Sequence, residues 1–196
     1  MSLTFSTMLE LGTAAPDFSL PDVVSGRTIS LATFKDRKVL LVMFICRHCP
    51  FVAHVQGELA TLGRDYQNRG VGLVGISAND ASRFSDDGPD SLKEWARGLG
   101  FTFPLCYDES QSVAKAYTAA CTPDPFVFDG KRQLVYRGQL DDSRPGNGKP
   151  VTGRDLRAAL DATLSGQPVD PVQRPSAGCN IKWKPGNAPA YFGVRA

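Results

Sequence analysis

The sequence predicts an α/β fold in which a central mixed β-sheet is flanked by helices. Residues 39–45 form a continuous apolar run that is typical of a strand buried on both faces. Residues 71–77 form a second run of this kind, and apolar residues at helical spacing lie between the two. A strand, a helix and a strand in this order form a right-handed crossover, so the two strands are expected to be parallel.

The elements around this unit follow along the chain. Two extended segments, at residues 15–21 and 28–31, are separated by a turn and predict an N-terminal β-hairpin. The helix after the first buried strand has apolar residues three and four positions apart and ends near residues 68–70. Its apolar stripe consists of Val52, Val55, Leu59, Leu62 and Tyr66.

The middle of the chain predicts a central insertion. It contains a helix at residues 92–99, capped by Asp90 and Ser91. A short strand near residues 103–106 and a helix from about residue 110 to 117 complete it.

A second hairpin and a last helix follow the insertion. Asp129-Gly130 is a turn signal between two short apolar runs, at residues 126–128 and 134–136. Leucines spaced four apart predict a helix over residues 153–164.

The chain divides into one main domain, residues 1–166, and a C-terminal extension, residues 167–196. The extension is rich in proline and is expected to be an irregular tail. Within it Cys179, Ile181 and Trp183 alternate, which predicts a short edge strand anchored by the tryptophan.

Composition excludes several function classes. The formal net charge is only +2 and charges of both signs are mixed along the chain, so no nucleic-acid or membrane partner is expected. No apolar run is long enough to span a bilayer, and no secretory signal precedes Arg27, the first basic residue. Five cysteines at irregular spacing are typical of a reducing compartment. We therefore expect a cytoplasmic protein.

Cys46 and Cys49 form a Cys-x-x-Cys pair where the first buried strand gives way to the helix. The helix is expected to begin near Cys46, since Pro50 is tolerated in a first turn. Unpaired N–H groups at a helix N-terminus favour a thiolate, so Cys46 is the predicted exposed nucleophile. Cys49, one turn deeper, is the predicted resolving cysteine, which releases the product by attacking a mixed disulfide.

Arg47 and His48 lie between the two cysteines and can place positive charge beside the sulfur. Such neighbours lower the pKa of a thiol, so both residues are predicted to tune the pair. The structural alternative is that Arg47 points into solvent and that His48 caps or packs.

The order of these elements, with the Cys-x-x-Cys pair and a later Thr-Pro, resembles the thioredoxin fold. The segment Ala-Pro-Asp-Phe-Ser-Leu at residues 15–20 resembles the peroxiredoxin and redoxin (AhpC/TSA-type) branch of that superfamily. The resemblance covers roughly residues 12–166. It implies that Pro123 forms a cis peptide bond opposite the redox pair and that Thr122 offers backbone hydrogen bonds to an extended substrate.

The resemblance implies a thiol–disulfide oxidoreductase, with a thiol-dependent, antioxidant peroxidase as the alternative. The expected partners are protein or small-molecule thiols and disulfides, and a reductant of the thioredoxin or glutathione type. No cofactor is expected.

Two departures limit what the resemblance implies. Leu40 stands where thioredoxins have a buried acid, so His48, Asp80 or a water molecule must move the proton of Cys49. Met43 stands where peroxiredoxins have a hydroxyl three residues before the attacking cysteine. Either Arg137 or Arg144 could still orient a peroxide.

The other three cysteines have open roles. Cys106 is expected to fill the core. Cys121 either fills the core or has a redox or gating role beside Pro123. Cys179 either forms a disulfide with another cysteine, covers Cys46 as a lid, or only packs.

Metal binding is the hypothesis from a different class. Cys46 and Cys49 supply half of a tetrahedral site, which Cys121, Cys179, His48 or His54 could complete. No second Cys-x-x-Cys exists, so no metal is expected.

Overall fold

A five-stranded mixed sheet forms the centre of the fold in the computed structural model, which describes residues 3–193. The strands are β1 (Leu3–Phe5), β2 (Ser19–Pro21), β3 (Thr28–Ser30), β4 (Val39–Phe44), β5 (Val71–Ser77), β6 (Leu105–Tyr107), β7 (Cys121–Thr122), β8 (Asp124–Phe128), β9 (Leu134–Arg137) and β10 (Ala177–Asn180). The helices are α1 (Pro50–Tyr66), α2 (Pro89–Leu99), α3 (Ser112–Ala116) and α4 (Arg154–Leu164), with short 3-10 turns at Leu31–Phe34 and Ser85–Asp87.

The strand order of the central sheet is β6-β5-β4-β8-β9. Strands β4, β5 and β6 are parallel, whereas β8 and β9 are antiparallel to their neighbours. The predicted parallel pairing of β4 with β5, the mixed sheet and the β8–β9 hairpin are therefore confirmed. The strand of the predicted insertion, β6, joins the sheet at its edge. The N-terminal hairpin is formed by β2 and β3.

Strand β4 is completely buried because both faces of the sheet are covered. Its residues alternate between two apolar clusters, as the two-residue period of a strand requires. Val39, Leu41 and Met43 face a cluster that includes residues of α1, α2 and α4. The intervening residues face a cluster that includes α3 and the N-terminal hairpin. Burying each large aliphatic side chain stabilises the fold by about 1.5–3 kcal/mol.

Helix α1 begins at Pro50, so the prediction of a start near Cys46 is wrong. Cys49 is the N-cap residue and has an extended backbone, with φ −76° and ψ 122°. Pro50 suits the first helical position because its fixed φ is helical and no N–H is lost. The physical reason for the late start is Asp87, whose side chain accepts the backbone N–H groups of Arg47 and His48. These two residues are therefore held in a bend and do not form a helical turn.

Helix α2 also begins differently from the prediction. Gly88 is the N-cap and Pro89 opens the helix, whereas Asp90 and Ser91 were expected to cap it. Asp90 lies in the first turn, where the negative charge of an acidic side chain interacts favourably with the positive end of the helix dipole.

Strand β10 contains only Cys179 of the three alternating residues that predicted a strand, since it ends at Asn180, and it is not an edge strand. It lies between β1 and β7 in a second, three-stranded antiparallel sheet. Cys179 is the register partner of Thr122, and Asn180 that of Cys121. Trp183 is buried, as expected of an anchor. Among residues 3–193, none of the helices is both long enough and apolar enough to cross a membrane.

Candidate active site

Three separate chain segments meet at the carboxyl end of β4. The first is the loop that contains Cys46 and leads into α1 at Cys49. The second is the Thr122–Pro123 peptide between β7 and β8, which is cis, as the resemblance implies. The sulfur of Cys46 lies 3.2 Å from the hydroxyl oxygen of Thr122, and the sulfur of Cys49 lies 3.2 Å from the carbonyl oxygen of the same residue. The third segment is β10, which pairs Cys179 with Thr122.

Neither sulfur of the Cys46–Cys49 pair is exposed. Cys46 has 1% of its surface exposed and Cys49 none, so the expectation that Cys46 stands at an exposed tip is wrong. Both cysteines contact Thr122 of β7, and β7 in turn is paired with β10. These two strands stand between the pair and solvent on that side, which sequence patterning alone does not reveal.

The two thiols share a proton unequally. The pKa of Cys49 is lowered, chiefly by a hydrogen bond from the Cys46 thiol. This effect outweighs burial, which would raise the pKa. Hydrogen bonds from Thr122, Cys179 and the backbone N–H of Val52 lower it further. The pKa of Cys46 is raised well above its usual range by burial, by its hydrogen bond with Cys49 and by the charge of Asp87. The negative charge was expected on Cys46. The opposite directions of these two pKa shifts favour the charge on Cys49, the N-cap residue, chiefly because the thiol of Cys46 donates to it.

A buried carboxylate supports the loop between the cysteines. Asp87 accepts hydrogen bonds from Nδ1 of His48 and, at 2.8 Å, from the side-chain amide of Asn79. Burial alone would raise the pKa of Asp87, but the hydrogen bonds from His48 and Asn79 lower it below the usual range. The ring of His48 stacks on Phe84, with 5.1 Å between the ring centroids. Nε2 of His48 is buried and has no hydrogen-bond partner among the described residues.

The structure separates the two predicted tuning residues. His48 is held by Asp87 and is partly buried, and one of its ring nitrogens lies within 4.8 Å of the sulfur of Cys46. Arg47 turns away, because its guanidinium donates to the carbonyl and hydroxyl of Ser91, at 3.0 and 2.8 Å, and lies 3.9 Å from Glu94. Its charge is directed to α2, so the geometry gives no support to a tuning role for Arg47.

Sequence reasoning missed Asp87 and Asn79. Both lie downstream of β5, a parallel neighbour of β4, so their segment begins at the same sheet edge as the cysteine loop. The signal that could have found Asp87 is the acidic pair at residues 86–87 immediately before Gly88-Pro89. Asp80, the acid that was considered, instead accepts a hydrogen bond from the hydroxyl of Ser82.

The two arginines considered for peroxide binding are engaged elsewhere. Arg137 donates to the carbonyl of Leu9 and to the side chain of Gln173. Arg144 donates to the carbonyl of Asp141 and to the side chain of Gln139.

Cys106 and Cys121 are completely buried. Burial raises the pKa of Cys106 to about 12 and raises that of Cys121 well above its usual range. Cys121 is directed toward the carbonyls of Pro123 and Ser176, at 3.7 and 3.9 Å. These environments suit small core residues that stay protonated.

Within residues 3–193, one group of side chains could hold a metal ion. Potential ligand atoms of Cys46, His48 and Asp87 all lie within 4.8 Å of one another. The oxygens of Asp87 already accept several N–H groups, so this carboxylate has little free capacity for a cation. His54, another candidate ligand, instead contacts the hydroxyl of Ser143 at 2.7 Å.

The fold is that of the thioredoxin-like class. A thioredoxin family protein of Chlorobium tepidum, a thiol:disulfide interchange protein, has the same fold, with a TM-score of 0.60 at 20% identity over 78% of this chain and 97% of that one. The chain belongs to the AhpC/TSA family, whose model matches residues 11–137.

Two further proteins are similar over most of the chain. A conserved protein of Geobacillus kaustophilus has a crystal structure with a TM-score of 0.93 and 53% identity, which covers 95% of this chain and 98% of that one. The thiol-disulfide oxidoreductase ResA of Geobacillus thermodenitrificans is 26% identical over 141 residues, which is 70% of this chain and 75% of ResA.

Proposed function

We propose that the protein is a thiol–disulfide oxidoreductase whose redox pair is Cys46 and Cys49. The observation that carries the proposal is that both sulfurs meet one residue, Thr122, beside the cis bond to Pro123. Two thiols that share a proton at a helix N-terminus exchange readily with disulfides, because one of them is already a thiolate. The similarity to ResA supports the same chemistry.

Cys46 is the proposed nucleophile, since its loop carries the partly exposed Arg47 and His48, whereas Cys49 begins α1. The shared proton moves to Cys49, whose thiol then donates to the carbonyl of Thr122. The Cys46 thiolate attacks a substrate disulfide, so that one substrate thiol leaves and a mixed disulfide forms. Cys49 then loses its proton and attacks the sulfur of Cys46, which releases the second thiol. Two thiols are oxidised to one disulfide, and one substrate disulfide is reduced to two thiols.

The proposed acid and base for this sequence is His48. Its Nδ1 is held by Asp87, which leaves Nε2 to take the proton of Cys49 and to pass it to one leaving thiolate, while the other leaving thiolate takes its proton from water. Asp87 acts through His48 and is therefore a positioning residue. This pair takes the place of the buried acid that the sequence lacks at Leu40.

The proposed physiological setting follows from the chemistry of the pair. The substrates are protein or small-molecule disulfides, and a thioredoxin- or glutathione-type system returns the pair to its reduced state. A reducing compartment such as the cytoplasm suits five cysteines that are all buried thiols in this structure.

A thiol-dependent peroxidase is the second candidate. It is favoured by the AhpC/TSA family match and by the Thr122 hydroxyl, 3.2 Å from the sulfur of Cys46, which could orient a peroxide. In this reaction Cys46 would take one peroxide oxygen to form a sulfenic acid and release an alcohol or water. Cys49 would then form the disulfide and release water. Two observations weigh against the peroxidase. Position 43 is a methionine and offers no hydroxyl, and the side chains of Arg137 and Arg144 donate to other groups of the protein.

One comparison separates the two candidates. Wild-type protein and the variants Cys46→Ser and Cys49→Ser are assayed for reduction of insulin disulfides and for hydrogen peroxide consumption. We expect Cys46→Ser to abolish insulin reduction and Cys49→Ser to accumulate a mixed disulfide with the substrate. Cys106→Ala is the control, because Cys106 is a buried thiol remote in sequence from the pair. Full insulin reduction by Cys46→Ser would contradict the assignment, and rapid peroxide consumption without insulin reduction would establish the peroxidase.

A further inference from the structure

We propose that Cys179 is a third redox cysteine, which receives the disulfide from Cys46 and Cys49 by attacking the sulfur of Cys49. The inference rests on the proposed function, because it needs the Cys46–Cys49 disulfide as its starting point. It assigns a chemical role to β10, which comes from the extension beyond the matched family region.

The geometry that carries the inference is centred on Thr122. Its hydroxyl contacts the sulfur of Cys46, its carbonyl contacts the sulfur of Cys49, and its backbone is paired with Cys179. Directly opposed residues of an antiparallel pair lie about 4.5–5.5 Å apart and project to the same face. Cys179 therefore projects to the side of β7 that faces the pair, and all three cysteines belong to one buried cluster. Helix α1, which begins at Cys49, packs against β10.

The pKa shifts of Cys49 and Cys179 agree with a direct contact between their sulfur atoms. A hydrogen bond from the Cys179 thiol helps to lower the pKa of Cys49. The pKa of Cys179 is raised by burial and then by its hydrogen bond with Cys49, while Lys182 opposes the rise. In the reduced protein Cys179 is thus a thiol that donates to the sulfur it would later attack.

Gly178 permits this close approach. A Cβ atom at this position would lie 1.9 Å from the carbonyl oxygen of Thr122 and 2.7 Å from its carbonyl carbon. Those atoms are backbone and cannot turn aside, so any larger residue would push β10 away from β7. The strand occupies the backbone of Thr122 that the resemblance assigned to an extended substrate, and it presents a cysteine to the redox pair from that position.

The proposed exchange is balanced and needs no further oxidant. Once Cys46 and Cys49 are linked, the sulfur of Cys179 bonds to the sulfur of Cys49 and the Cys46–Cys49 bond breaks. The proton of Cys179 passes to the leaving sulfur of Cys46. One disulfide is exchanged for another, so Cys46 is a thiol again while β10 becomes covalently joined to the start of α1. The reductant would then act on the Cys49–Cys179 bond.

Tryptic mapping tests the exchange, because cleavage puts each cysteine in its own peptide. Cys46 falls in residues 39–47, Cys49 in 48–64, Cys106 in 98–115, Cys121 in 116–131 and Cys179 in 158–182. Reduced protein is oxidised with diamide, quenched in acid at successive times, alkylated and digested without reductant. In the wild type we expect a link of 39–47 to 48–64 first, and then a link of 48–64 to 158–182. Peptide 116–131 is the internal control and should stay alkylated, although Cys121 is buried in the neighbouring strand.

Two cysteine variants make the outcome decisive. Cys179→Ser should lose the link of 48–64 to 158–182 while it keeps the first one. Cys46→Ser cannot form the first link, so any second link in this variant arises from diamide directly and measures the background to the exchange. The inference is overturned if the first link forms in the wild type and the second link does not follow it there. If the first link does not form in the wild type, the proposed function itself fails, and the two failures are thus distinguishable.

A backbone variant tests the same idea without removing a sulfur. Gly178→Ala should reduce the yield of the second link several-fold while the first link still forms. Gly98→Ala is the matched control, since Gly98 is exposed in α2 and a Cβ there meets nothing within 4 Å. Equal yields of the second link from the two variants would contradict the role given to β10.

Discussion

The carboxylate of Asp87 accepts a hydrogen bond from the ring of His48, although the two residues are 39 positions apart in the chain. The same carboxylate accepts the backbone N–H groups of Arg47 and His48, at 2.8 and 3.2 Å. Asp87 therefore fixes both the loop between Cys46 and Cys49 and the ring that is proposed to move their protons. A single buried side chain links the shape of the site to its proton chemistry.

Asp87→Asn tests this link. The substitution keeps the size of the side chain but removes its charge. It also replaces one acceptor oxygen by an NH₂ group, which cannot accept from the groups that now donate to Asp87. We expect the rate of disulfide exchange to fall by roughly 10²-fold, the lower end of what positioned acid–base groups contribute. The measurement is the pH profile of the reaction with an aromatic disulfide, followed by stopped flow.

Asp86→Asn is the control, because Asp86 is the exposed neighbour of Asp87. A purely structural role would lower the rate equally at every pH, whereas a role through His48 changes the shape of the profile. An unchanged profile for Asp87→Asn would contradict the role of Asp87.

The position of the negative charge within the pair is a second prediction. Thiolate absorbance of reduced wild-type protein should reveal one thiol that ionises well below the pKa of a free cysteine, about 8.5. Cys49→Ser should remove this transition, because the hydrogen bonds from Cys46 and from the N–H of Val52 lower the pKa of Cys49. Cys106→Ala should keep it. If Cys46→Ser removes the low transition and Cys49→Ser retains it, the charge lies on Cys46.

The central sheet could be predicted because continuous apolar runs in the sequence indicate its buried strands. The second apolar run coincides with β5 at both ends, and the apolar run that begins at Val39 gives β4, since strands buried on both faces contain almost only apolar residues. The cis bond before Pro123 was expected from the resemblance to a fold and not from its local sequence.

The start of α1 and the place of β10 could not be predicted in this way. The helix starts late because Asp87, distant in sequence, takes the N–H groups of the preceding bend. Strand β10 is only four residues long, includes Gly178, and owes its position to pairing with β1 and β7. Both features depend on long-range contacts that leave no periodic pattern in the sequence.

Thr122→Val tests the hydroxyl that contacts Cys46. Valine keeps the volume of threonine but removes the hydrogen bond to the sulfur, which helps to lower the pKa of Cys46. A hydrogen bond of this kind contributes about 0.5–1.5 kcal/mol, so we expect disulfide exchange to slow by roughly two- to tenfold. Thr122→Ser, which restores the hydroxyl, should recover most of the rate. Peroxide consumption that falls far more than disulfide exchange would favour the peroxidase.

The pH dependence of stability is predicted from Asp124, a buried carboxyl group at the start of β8. Burial raises the pKa of Asp124 to about 7, although the backbone N–H of Ala120 donates to it. In the unfolded chain the pKa of an aspartate is about 3.9. Between these values the folded protein holds a proton that the unfolded chain has lost. The stabilisation is therefore complete below about pH 4 and is lost as the pH rises through about 7.

Asp124→Asn should remove this dependence, because the amide stays neutral at every pH. Urea unfolding of the reduced protein is measured at pH 5 and pH 8 for the wild type and the variant. The free energy of unfolding of the variant, relative to the wild type, should be higher at pH 8 than at pH 5, with each pKa unit worth about 1.4 kcal/mol. Asp36→Asn, at an exposed site, should show no such difference. If the free energies of unfolding of Asp124→Asn and the wild type differ by the same amount at both pH values, Asp124 is ionised throughout and the prediction is wrong.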